Sequence, residues 1–195
     1  EKELGYQTVI SIDLGVRIEN LLAYLDQNEV LGLSGGLNYH AELSLPNQDS
    51  AYPYLTLTSD LRGVSYSWPE PLFKDPLEER QLALNLLIKP DQMYLNLNLH
   101  SDESPSLESE LLFVGNKFTF GEVLIGGASS RSPDISGLNV IANIDDLFLE
   151  PWLEFVQQFM RESANESESD FLKRIDLNLK NLSAYGQNFE QTDLL

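Results

Sequence analysis
The chain has 195 residues, 42% of them hydrophobic, with 31 Asp and Glu against 12 Lys and Arg, for a formal charge of −19. That balance excludes a nucleic-acid-binding surface, which needs cations to neutralise phosphates, and opposes electrostatic docking on an anionic membrane. The absence of cysteine excludes disulfides, thiol catalysis and thiolate metal sites, and no apolar run approaches the ~20 residues of a membrane-spanning helix.

The chain begins at Glu1 with no initiator Met and no charged-then-apolar leader, as expected of a segment within a longer protein. Residues 1–195 are expected to form one β-rich unit. Ile18, Leu21, Leu22 and Leu25 fall at i, i+3, i+4 and i+7, the stripe of an amphipathic helix. Leu37, Tyr39, Ala41, Leu43 and Leu45 then alternate with Asn38, His40, Glu42 and Ser44, a strand with one apolar face. Leu84 and Leu86 precede the turn Lys89-Pro90-Asp91-Gln92, and Leu95, Leu97 and Leu99 follow it, which predicts an antiparallel hairpin. Val114-Gly115-Asn116-Lys117 predicts a second hairpin turn, and the lost phase at Gly121-Glu122 predicts a bulge. Leu138, Val140, Ala142 and Ile144 alternate again. Leu149, Trp152, Leu153 and Val156 return to helical spacing, with Phe159 and Met160 a turn further on and Pro151 near the start. Ile175, Leu177 and Leu179 make a last amphipathic strand. Strand-helix-strand units are expected at 6–45 and 137–184.

Little in the sequence carries chemistry. His40 and His100 share polar faces with asparagines and glutamate, the setting of surface histidines, and no His-x-x-x-His pair exists for zinc. The neighbouring carboxylates Glu78-Glu79 and Asp145-Asp146 do not converge on one bond as a glycosidase pair must. Gly126-Gly127 has no lysine behind it and is not a phosphate loop. The loops 101–106 and 161–170 are acidic and serine-rich without the spacing of a calcium loop, and Asn165-Glu166-Ser167 is a glycosylation sequon. No catalytic residue, metal or cofactor is expected, and the chain is not expected to be an enzyme. What remains is a mainly β protein of about nine or ten strands, apolar on one face, with only two short amphipathic helices to cover that face. A sandwich, a closed barrel and an open trough all satisfy that pattern.

One stretch departs from regular alternation. Ser59-Asp60-Leu61-Arg62-Gly63, followed by Pro69-x-Pro71-x-x-Lys74, resembles the S-D-L-x-G and L-P-x-P-x-x-K signature of the YhdP-like branch of the AsmA-like bacterial envelope proteins, with Trp68 where leucine is usual. The run Gly35 to Pro46 is similar to that branch's G-x-x-x-Y-x-A-x-L-x-L-P strand. Gly137-Leu138, with Asp145 or Asp146 and then Trp152, is similar to a later segment. The resemblance covers roughly residues 30 to 160.

It implies a curled antiparallel amphipathic sheet forming an open groove, in the periplasmic part of a Gram-negative protein anchored in the inner membrane. It further implies one segment of a conduit carrying phospholipid between the inner and outer membranes. The expected partners are phospholipid acyl chains, other segments of the parent chain and other envelope proteins, without nucleic acid. Strand parity nominates Leu37, Tyr39, Leu43, Leu84, Leu86, Leu95, Leu97, Leu99, Val140, Ile144, Leu177 and Leu179 as groove lining. In the signature, Gly63 is expected to bend the chain, and Pro69 and Pro71 to withhold N–H donors from edge pairing. Trp68, Leu72 and Phe73 would fold as an apolar flap, and Lys74 would cap a carbonyl or meet a lipid phosphate. The competing expectation is a scaffold or assembly module for outer-membrane proteins; an unrelated enzyme on a sandwich comes third.

Overall fold
The computed structural model describes residues 6–24, 32–47, 51–102, 104–115, 117–129, 136–162 and 172–194. Of the loop expected at 161–170, Arg161 and Glu162 instead end a helix, and the rest lies outside the described residues, as do Leu25 and the Asn165 sequon.

Among the described residues, eleven strands and two helices follow one another: β1 (Tyr6–Arg17), α1 (Ile18–Tyr24), β2 (Leu33–Pro46), β3 (Tyr54–Ser59), β4 (Val64–Tyr66), β5 (Gln81–Ile88), β6 (Gln92–His100), β7 (Leu107–Val114), β8 (Lys117–Ile125), β9 (Gly137–Phe148), α2 (Leu149–Glu162), β10 (Leu172–Ala184) and β11 (Gln187–Leu194). Ten of the strands form one path, β1-β2-β3-β5-β6-β7-β8-β9-β10-β11, and the short β4 pairs with the start of β2. The path does not close on itself, so β1 and β11 are its edges and the sheet is open. The protein is mainly β, as the alternation predicts.

Most pairings are antiparallel, set by tight turns such as Lys89 N–H to the Gln92 carbonyl at 2.8 Å. The pairs β8–β9 and β9–β10 are parallel, so the sheet is mixed. A parallel pair needs a connection long enough to return the chain to the same end. Residues 126–136 supply one crossover, and α2 with the segment after it supplies the other. The strand-helix-strand units therefore differ: β1 and β2 are antiparallel around α1, whereas β9 and β10 are parallel around α2.

Two details differ from expectation. The bulge falls at Thr119, because Leu112 pairs with Phe120 and Phe113 with Phe118, so Phe118 turns to the apolar face and Phe120 to the polar one. On α2 the inward stripe is Leu149, Trp152 and Phe155, while Leu153 and Val156 are exposed. Leu149 and Trp152 pack against the sheet residues around Ile144 and Leu179, and Phe155 meets the Trp68 ring. No helix among the described residues is long and apolar enough to cross a membrane.

Candidate functional site
From β1 to β10 the rows of alternating apolar residues share one face, because directly paired residues share a side, while Leu87, Leu112, Phe120, Leu124 and Ile141 take the other. The row running across the sheet from β1 reads Ile12, Ala41, Leu57 and Leu84, then Leu97, Ser109, Val123, Val140 and Ile175. A second row flanks it on one side with Leu43, Leu55, Leu86, Leu95 and Leu111. On the other side lie Leu82, Leu99, Leu107, Ile125, Ala142 and Leu177. The opposite face carries Glu42, Thr56, Asn85, Asn96, Glu110 and Glu122 in one register.

One margin of the apolar face is covered. Ile18 and Leu22 of α1 bury Leu37 together with Leu61 and Val64, and Tyr39, Leu82 and Leu99 pack against that cluster. On the far side Leu72 is buried among Ile125, Ala142, Ile144, Leu147, Leu179 and Leu182, with Trp68, Leu149 and Trp152 packed against them. A single insert between β3 and β5, residues 60–80, therefore reaches both clusters. The bridge between Tyr66 and Lys74 folds this insert back on itself. Val64 and Leu72 can then be only about 13 Å apart along a strand, whereas β2 and β9 would be roughly 29 Å apart in a flat sheet. The sheet curls over the insert.

The insert is held from inside by two cations. Lys74 is 0% exposed, and its Nζ donates to the carbonyls of Leu61 at 2.9 Å, Val64 at 2.7 Å, Asp75 at 3.1 Å and Glu78 at 2.7 Å. Burial pushes the ammonium pKa down, opposed by the Glu78 carboxylate. Arg80 is also buried; it donates to Tyr66 Oη at 2.7 Å, Ser104 Oγ at 2.8 Å, and the carbonyls of Leu72 and Phe73, and pairs with Glu78 Oε1 at 2.6 Å. Burial raises the pKa of the Tyr66 hydroxyl, and the hydrogen bond from Arg80 holds Glu78 below the usual carboxylate range. Outside this knot, Trp152 Nε1 donates to the Glu70 carbonyl at 2.9 Å, and Tyr66, Trp68, Phe155 and Trp152 form a chain of ring contacts that ties α2 to the insert.

Glu78 makes one consequence measurable. Its folded pKa lies below the unfolded value of about 4.3, so the unfolded chain takes up the proton first and stability falls as pH drops through that range. Glu78→Gln is expected to be less stable than the wild type at pH 7 and to lose less on acidification. Parallel slopes of melting temperature against pH for the two proteins would contradict this.

The structure sorts the nominated residues. Leu37, Ile144 and Leu179 are buried in the two clusters, and Tyr39, Leu99, Val140 and Leu177 pack against them. Leu43, Leu84, Leu86, Leu95 and Leu97 are only half-buried, belong to neither cluster and stand together in the two open rows. Leu55, Leu57 and Leu111 join them and were not nominated, although the alternation in Tyr54-Leu55-Thr56-Leu57-Thr58 carries the signal. Trp68 and Leu72 do fold inward, but Phe73 is exposed. Of the two roles expected for Lys74, capping carbonyls is the one its geometry performs. Gly63 sits at φ 88° with its carbonyl accepting from Gly36 N–H at 3.1 Å, the bend expected of it. Pro69 and Pro71 lie in the irregular part of the insert, where Leu72 N–H closes a turn onto the Pro69 carbonyl at 3.0 Å. Arg80 and Glu78 gave no sequence signal as a buried pair, since a charged residue beside a strand reads as a surface one.

A family model described as YhdP protein matches residues 2–194. No curated protein and no solved structure matches the chain.

Proposed function
The chain belongs to the YhdP family, an envelope protein family, and from that premise we propose that it is one segment of a conduit holding phospholipid acyl chains between the inner and outer membranes. The supporting observation is the apolar face kept in one register from β1 to β10, with two of its rows left outside the buried clusters between β1 and β7. Five strand spacings of ~4.8 Å, from β1 to β7, make an open strip roughly 24 Å long. Its long axis runs perpendicular to the strands. Two acyl chains with ~30 methylenes at ~0.8 kcal/mol each lose more than about 20 kcal/mol if they cross water bare. A strip of leucine, isoleucine and valine removes most of that cost without specific contacts, so the role needs no catalytic residue and no cofactor. The insert and the two helices form one wall of the strip, and the periplasm is the compartment in which such a segment would work, beside other segments of its parent chain.

The test is native mass spectrometry with lipid extraction on the chain purified from a bacterial envelope without detergent. Phospholipid is expected to accompany the wild type and to be lost in Leu97→Asp, with the melting temperature within a few degrees because Leu97 lies outside both buried clusters. A folded wild type without lipid overturns the reading. That outcome would favour a scaffold for envelope proteins, for which β1 is the supporting feature: it is an edge strand with Val9, Ile10, Ile12 and Leu14 exposed, suited to strand addition.

A further inference from the structure
We infer that the face of the sheet opposite the apolar strip binds a linear, uncharged glycan, laid across β3 to β8 on a row of aromatic rings. The inference is independent of the conduit reading, because it uses the other side of the same strands. The row reads Tyr54, Leu87, Tyr94, Leu112 and Phe120, each directly paired with the next. Rings alternate with leucines, so successive rings stand two strand spacings apart, about 9.6 Å. The five line a shallow cavity of about 350 Å³, within the range of ligand sites. Lys89 Nζ lies 4.6 Å from the Tyr94 ring centroid and steadies that ring, which remains 38% exposed.

The next row along the strands, about 7 Å away, is polar. Asn85, Asn96 and Glu110 are paired in register there and line the same cavity. Asn96 accepts from Asn98 at 2.7 Å, whereas the Asn85 amide and the Glu110 carboxylate have no partner among the described residues. A line of rings beside a line of donors and acceptors suits a ligand with the same two sides. A pyranose has them. Its axial C–H bonds form an apolar patch that packs on the negative face of an aromatic ring, and its equatorial hydroxyls hydrogen-bond at the edge. The interval between rings approximates the length of a disaccharide, so an extended β-linked chain meets a ring at every other sugar.

Other ligand classes fit this face less well. An acyl chain on the rings would bury Asn85 and Glu110 without partners. A peptide strand has no edge to join, since β3 and β5 to β8 are each paired on both sides. An anion is repelled by Glu42 and Glu110 of the polar row, within a chain of net charge −19. The neutral hydroxyls of a glycan meet none of these obstacles.

The experiment is a calorimetric titration of chitohexaose, a soluble uncharged β-linked oligosaccharide, into the wild type, Tyr94→Ala, Tyr94→Phe and Leu97→Asp. The coiled, α-linked maltohexaose is the shape control. The wild type is expected to bind chitohexaose roughly tenfold more tightly than maltohexaose, with an affinity indifferent to salt. Tyr94→Ala is expected to lose about tenfold and Tyr94→Phe to keep the affinity, because stacking needs the ring and not the hydroxyl. Tyr94 is exposed, so both variants are expected to melt with the wild type. Leu97 lies on the other face, so Leu97→Asp is expected to bind the glycan as the wild type does, whatever its effect on lipid. Failure here and failure of the conduit reading are thereby told apart. A wild type that does not bind chitohexaose overturns the inference, as does an affinity unchanged in Tyr94→Ala. Displacement of the glycan by a short-chain phospholipid would assign the cavity to acyl chains and overturn it as well.

Discussion

Lys74→Met is expected to lower stability by roughly 3–5 kcal/mol, the largest loss of any single substitution considered, because it strips donors from four carbonyls. A methionine fills nearly the same volume, so the loss is not one of packing. The carbonyls of Leu61 and Val64 meet the ammonium in buried hydrogen bonds, and those of Asp75 and Glu78 meet it at the part-buried side of the insert. In a chain of this size such a loss corresponds to a fall in melting temperature of roughly 10 °C. The substitution should also loosen α2, since the insert that Lys74 ties together is the one on which α2 docks. The two tryptophans of the chain, Trp68 and Trp152, both lie at that contact. Their emission should shift to longer wavelength in the variant well below its melting temperature. Unchanged emission and melting temperature would mean that the ammonium is not what holds the insert.

Gly35→Ala is expected to destabilise by about 3 kcal/mol. Gly35 has φ 108° and a built Cβ would lie 2.0 Å from the Gly63 carbonyl oxygen, a backbone atom that cannot rotate away. Its N–H donates to Glu19 Oε1 at 2.9 Å, so the same residue also ties α1 to β2. Gly36→Ala serves as the control, because nothing lies within 4 Å of its built Cβ. Equal melting temperatures for the two variants would contradict the close approach. Gly35 opens one of the stretches that resemble the family, and Gly63 closes the Ser59–Gly63 run of another. Their meeting ties each glycine to a backbone contact with the other, which neither stretch shows when read alone.

The same distinction runs through the rest of the molecule. Leu37 and Leu43 carry the same parity and the same side chain, yet Leu37 is buried beneath Ile18 and Leu22 while Leu43 stays in the open rows. Periodicity reports which side of a strand a residue takes and nothing of what lies above it. The parallel pairing of β9 was not legible either, since an alternating strand looks alike in either direction and only the crossover decides. Lys74 was legible as a candidate cap because a lone lysine closed an apolar segment. Arg80 was not, because nothing local distinguishes a buried arginine from an exposed one.

The amino-acid sequence by itself determined the mainly β class, the apolar and polar faces of the strands, the two helices, the hairpin turns and the likeness to an envelope family. All of these depend on residues a few positions apart. Only the tertiary structure decided that the sheet curls over the insert, which leucines the insert covers, which rows it leaves open and which two cations it buries. Those outcomes depend on contacts between segments tens of residues apart, whose distances no local spacing encodes.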